Sequence, residues 1–420
     1  MSQLKPLNAF SPLLERHIDD VAFLWVLRSV AVGQPHYGLF ELKKLERRID
    51  AHIDALLLSP EDSWDACEQA AEFEEGGESF VMAVLAFRQM DVNKIQRATE
   101  FALANSQTKR GMASALAWLD DSYSLPWIRK FLKSKDLGHK YLALAALSVK
   151  REDPGEDLKN IFTREDCLED IELYARALRL VGELKRVDLI PALNKAMDHK
   201  NEDVKFWGAW SALLLGNRSA VQYLKPTVMN AGPNQGRAID TVFRALPIPQ
   251  AREWVSELSS QKDSTRVTIR ASAVLGDPQV VPWLIDKMKN PEFSRLAGEA
   301  FVAITGIDLE RYQLENELPN LFEDLEDNQE IVDEYGLDDE NLAWPNTEKV
   351  AAVWQKYGSS FTVGKRYFWG KAAEVNLLNS LLVRGGQRQR HAAALELTLS
   401  SPEAPYPNAN AKVSGEVLGG

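Results

Sequence analysis

The stretch LGDPQVVPWLIDKMKNPEFSRLAGEAFVAITG (275–306) carries two glycines 30 positions apart, Gly276 and Gly306, and two helical patterns between them. The first, QVVPWLIDKMK (279–289), sets apolar residues three and four apart and places Pro282 in its opening turn, where a missing N–H costs nothing. The second, RLAGEAFVAITG (295–306), mixes small and large apolar residues and ends on a glycine suited to a left-handed cap. Upstream, the same stop recurs at Leu246 (before Pro247), Gly216 and Gly182, at spacings of 30, 30 and 34. Each stop leads through a short polar turn into an apolar helix opening: VDLIPALNKAM (187–197), SAVQYLKPTVM (219–229) and PQAREWVSELS (249–259). Each opening is followed by an Ala-rich helix: VKFWGAWSALLLG (204–216), RAIDTVFRAL (237–246) and TIRASAVLG (268–276).

The beat continues further upstream in SLPWIRKFLKS with GHKYLALAALSVK, and in DVNKIQRATEFA with KRGMASALAWLDD. One such pair cannot bury its own apolar face, so its stability has to come from stacking on the next. The fold class expected is therefore all-α: an α-solenoid of HEAT-like helix pairs over 90–307, with a helical N-terminal cap over 1–89. Within that cap, 10–33 and 38–58 read as two long helices around the turn GQPHYG. Residues 308–345 lack periodicity and read as an acidic segment, 346–400 return to helix, and 401–420 read as a flexible tail.

Charge narrows the function classes. Between Asp308 and Glu340 stand fourteen acids against Arg311 alone, a local −13, so the remainder of a chain of net −12 is close to +1. Nucleic-acid binding, which draws on clustered Lys and Arg, is not expected. Neither is a membrane span, since the most apolar run, Val21–Val32, is short and interrupted by Arg28. No secretory signal pattern and no CxxC is visible, and Cys67 and Cys167 read as small core residues in a reducing cytoplasm. HExxH, GxSxG and P-loop spacings are missing, so no catalytic residue, metal or cofactor is expected.

Two groups stand out as candidate sites. The basic and aromatic run Lys365, Arg366, Tyr367, Phe368, Trp369 with Lys371, followed by Arg384, Arg388, Arg390 and His391, reads either as the internal counterpart of the acidic segment or as a surface for an acidic protein partner. Trp344, Trp354 and Trp369 are its candidate hot spots, whereas Trp118, Trp127, Trp207, Trp210, Trp254 and Trp283 read as layer-filling core. The N-terminal group Arg28, His36, Arg47, Asp50 and His52 gathers basic, acidic and imidazole side chains on adjacent helices, and reads first as an interhelical hydrogen-bond network.

The array resembles HEAT-like repeats of the phycobilin-lyase type. Through HIDDVAFLWVLRSVAVGQPHYGLFELKKLERRIDAHIDALLLS (17–59), LAWPNTEKVAAVWQKY (342–357), GKRYFWG (364–370) and GGQRQRHAAALELTLS (385–400), the whole chain is similar to an uncharacterised family of proteobacterial HEAT-repeat proteins, some encoded among type VI secretion genes. That resemblance implies a cytoplasmic, non-catalytic scaffold or adaptor holding a protein partner, such as a secretion effector or spike component. A bilin lyase-like enzyme is the alternative it leaves open. A DNA-repair glycosylase on similar repeats would need a positive concave face, which the near-neutral repeats do not supply.

Overall fold

The computed structural model describes residues 11–316 and 339–414. Most of the acidic segment and the last six residues lie outside them. The described residues are all-α, and β pairing among them is limited to the isolated bridges Glu315–Pro345 and Phe368–Lys371. They fall into two units, one from 11–215, 382–394 and 402–414, the other from 216–316, 339–381 and 395–401.

In the first unit, α1 (Ser11–Ala31) and α2 (Leu39–Leu56) pair, and α3 (Pro60–Ala70) joins α1 and α4 (Gly76–Gln89). Layers follow from α4 onward. The pairs are α5 (Val92–Ala102) with α6 (Ser106–Trp118), α7 (Asp121–Lys133) with α8 (Leu137–Lys150), and α12 (Ile190–Met197) with α13 (Glu202–Leu214). Two short helices, α9 (Glu156–Ile161) and α10 (Glu165–Glu169), stand where one opening helix would precede α11 (Ile171–Glu183). The second helices stack in series, α4 on α6, α6 on α8, α8 on α11 and α11 on α13. The stacking thus starts inside the expected cap, because α4 is buried along nearly its whole length and behaves as a layer member.

Local chemistry explains where these helices begin. The second helices α6, α8, α11 and α13 each start on an Asn or Asp (Asn105, Asp136, Asp170, Asn201) whose side chain accepts from the first free backbone N–H groups. Phe80, Phe87 and Phe206 fill the space between layers and are fully buried. Cys67 and Cys167 are buried, and burial raises both thiols.

The second unit repeats the design with α14 (Val221–Met229), α15 (Gln235–Ala245), α16 (Ile248–Ser259), α17 (Thr265–Leu275), α18 (Val281–Lys287) and α19 (Pro291–Thr305). Here α15 stacks on α17 and α17 on α19, with Phe243 and Phe301 fully buried. Gly276 and Gly306 end α17 and α19 at φ +72° and +68°, as their sequence positions require. Three C-terminal helices follow along the chain: α20 (Thr347–Tyr357) belongs to this unit, while the residues of α21 (Val375–Arg384) and α22 (Gln387–Ser400) are divided between the two units. Among the described residues, no helix is long and apolar enough to cross a membrane.

Candidate functional site

The basic and aromatic run is a strap across helix ends. The Arg366 guanidinium donates to the carbonyl oxygens of Arg244 and Leu246, where α15 stops. The Tyr367 amide donates to Gly276 O at the end of α17 (2.8 Å), and the amides of Trp369 and Gly370 to Ala303 O and Ile304 O in the last turn of α19 (2.8 and 3.0 Å). The C-termini of three successive second helices, each with unsatisfied carbonyls and a partial negative charge, thus receive donors from one segment. Phe368 is buried, and burial lowers the Arg366 pKa against the opposing pull of Glu396.

This arrangement corrects the expectation of an open basic surface. Arg390 is buried, donating to Leu382 O and Gln387 Oε1, and its pKa is lowered by that burial. Arg388 Nε reaches Gly33 O (3.2 Å) and His391 Nε2 meets Val32 O (3.0 Å), so both face the α1–α2 turn. Of the ten residues named in this run, only Lys365, Lys371 and Arg384 keep exposed side chains. The aromatic candidates are half-buried and already packed against neighbours. Trp344 lies beneath the Arg295 guanidinium (4.2 Å), Trp354 packs on Phe301 and Phe361, and Trp369 sits edge-on to Phe368. Asp339, at the described end of the acidic segment, pairs with Arg266 of α17 (2.7 Å) and not with the basic run. Acids 317–338 lie outside the described residues.

The N-terminal group does not form one network. Arg28 pairs with Glu46 (3.0 Å), a carboxylate with no exposed surface, and donates to Asn410 O and Ala411 O. Asp50 accepts from Trp118 Nε1 (2.9 Å) and Lys412 Nζ (2.8 Å). His52 turns to α1 instead, meeting His17 and Asp20, and burial holds it below the usual histidine range. His36 stacks at a tilt on Tyr37, and Arg47 is exposed on α2.

The tail is a second strap, which corrects the flexible-tail expectation for its described residues. Arg151 donates to Tyr406 O and covers that ring, Tyr406 packs against Trp210, and Asn408 donates to Val149 O at the end of α8. Lys43 donates to Val413 O, and the Val413 amide to Glu46 Oε2.

Sequence reading missed one buried knot. Glu183 of α11, 1 % exposed, is held by Arg151, Arg176 and Arg179 and accepts from the Ser148 hydroxyl of α8. Burial pushes its carboxyl up, but Arg179, Arg176, Arg151 and Ser148 together pull it further down, to about 2. Burial lowers Arg176 to about 10. The arginine spacing at 176 and 179 is the signal that was present, since both share one face of α11 with Glu183.

One more surface is defined by what it lacks. Phe23, Val26 and Val30 follow one face of α1 and are 63 %, 45 % and 53 % exposed. No family model, curated protein or solved structure matches the chain.

Proposed function

We propose that this chain is a non-catalytic scaffold that binds a partner protein through α1. The observation that carries the reading is the Phe23–Val26–Val30 stripe, three large apolar side chains left open to water on one helix face. Scattered single apolar residues are ordinary on a surface, whereas a row at three- and four-residue spacing is the footprint of helix-in-groove or helix-to-helix recognition. In the basic strap Arg366 already serves the end of α15, and Arg390 is buried, which leaves the apolar stripe of α1 as the stronger support for a partner surface. Resemblance to a family found among type VI secretion genes makes an effector or spike component the partner class of choice, and the site of action cytoplasmic.

Quantitative affinity purification from the native host tests this with three proteins: the intact chain, a Phe23→Glu/Val26→Glu/Val30→Glu variant, and a Lys365→Glu/Arg384→Glu variant. The expected result is one partner recovered in stoichiometric amount with the intact chain and the basic-site variant, and lost with the stripe variant. Retention by the stripe variant, or loss with the basic-site variant alone, would move the interface elsewhere.

A further inference from the structure

His17 and Asp20 stand three residues apart on α1, so their side chains leave the same side of the helix. His52 of α2 comes to meet them. The two Nδ1 atoms are 2.8 Å apart, and Asp20 Oδ2 lies 3.8 Å from His52 Nδ1. All three ligand atoms fall within 4.8 Å of one another. Two neutral imidazoles that face each other through the same nitrogen can share one proton at most, so a single hydrogen bond is all that this contact supplies by itself. Two imidazole nitrogens and a carboxylate oxygen converging on one point form instead a donor set that divalent first-row metals accept.

We propose that His17, Asp20 and His52 bind one divalent first-row transition-metal ion, with zinc as the reference case, and that the ion pins α1 to α2. Calcium and magnesium are disfavoured because they take mostly oxygen ligands. With zinc–nitrogen bonds of about 2.0–2.1 Å, two nitrogens of a tetrahedral centre stand roughly 3.3 Å apart, so the rings have to open by about half an ångström. The side chains are free enough to do so, since His52 is 24 % and Asp20 42 % exposed. Two cations face the group. Arg16 Nε is 4.0 Å from Asp20 Oδ2, but Arg16 is 80 % exposed and can swing into solvent, and Arg48 acts on His52 from α2. Three protein ligands leave a fourth position for water or another donor. Sequence spacing hid the site because His17 and Asp20 form no metal signature alone and His52 is 35 positions away. This inference is independent of the scaffold reading.

The test uses the full untagged chain, stripped with EDTA and titrated with zinc chloride alone by calorimetry. One ion per chain is expected, at micromolar or lower concentration. His17→Gln and His52→Gln should each weaken binding about a hundredfold, and Asp20→Asn about tenfold, while His199→Gln leaves it unchanged. Circular dichroism checks that each variant keeps its helices. On the unaltered chain, zinc should shift the imidazole ¹⁵N resonances of His17 and His52 and of no other histidine, a readout that stands even if a variant fails to fold. Absence of one-to-one binding below about 0.1 mM, survival of binding in both histidine variants, or shifts at His36, His139, His199 or His391 instead, would overturn the proposal.

Discussion

Two straps close helix ends in this protein, and they do so with opposite chemistry. In the second unit, residues 366–370 bring the donors: one guanidinium and three amides satisfy carbonyls ending α15, α17 and α19. In the first unit, the helices bring most of the donors: Arg28, Lys43 and Arg151 reach down to carbonyls of the tail between Tyr406 and Val413. A cationic strap looks in sequence like a binding surface, and a strap that mainly offers carbonyls looks like a loose end. Both impressions came from reading side chains on the strap without the backbone groups they meet.

The comparison can be broken most forcefully beneath the tail. Arg151 is shared between Tyr406 and Glu183, so Glu183→Gln leaves three arginines without their carboxylate. A loss of about 3–5 kcal/mol is expected in denaturant unfolding. The pH dependence follows from the same contact. A carboxyl held at about 2 when folded, against an ordinary value of 4.5, contributes stability that is fully present above 4.5 and is lost as pH falls toward 2. Acid unfolding of the intact chain should therefore steepen below pH 4.5, and the Gln variant should lack that component.

In the other strap, Arg366→Met should destabilise by about 2–3 kcal/mol, since two part-buried carbonyls lose a charged donor while the methionine keeps much of the volume. Tyr406→Ala in the tail should cost less, about 1–2 kcal/mol, because it removes a ring contact with Trp210 and Arg151 but spares the carbonyl that Arg151 holds. Equal costs for the two substitutions would mean that the straps differ in composition only.

The helix-pair rhythm was legible because its signals are local. Gly276 and Gly306 occupy left-handed caps, Pro191 and Pro282 sit in opening turns, and Asn105, Asn201 and Asn290 hold the first N–H groups of their helices. The straps were not legible because their partners are remote: Arg366 lies 122 positions from Arg244, and Arg28 lies 382 from Asn410. A backbone carbonyl leaves no mark in a sequence, so nothing distinguishes an arginine that caps a helix from one awaiting a partner. Of the N-terminal group, the sequence indicated one interhelical network of Arg28, His36, Arg47, Asp50 and His52, whereas Arg28, Asp50 and His52 find separate partners, His36 meets its neighbour Tyr37 and Arg47 is exposed. The sequence did not indicate that Glu46, Trp118, Lys412, His17 and Asp20 would be those partners.

Hydrogen–deuterium exchange on the intact chain tests the strap account most directly. The amides of Tyr367, Trp369, Gly370 and Val413 each donate to a named acceptor, and protection of about a hundredfold or more over unstructured rates is expected at all four. Exchange at unstructured rates from residues 367–370 would return the basic run to the surface as a free binding segment. The same outcome at Val413 would return the tail to a loose end.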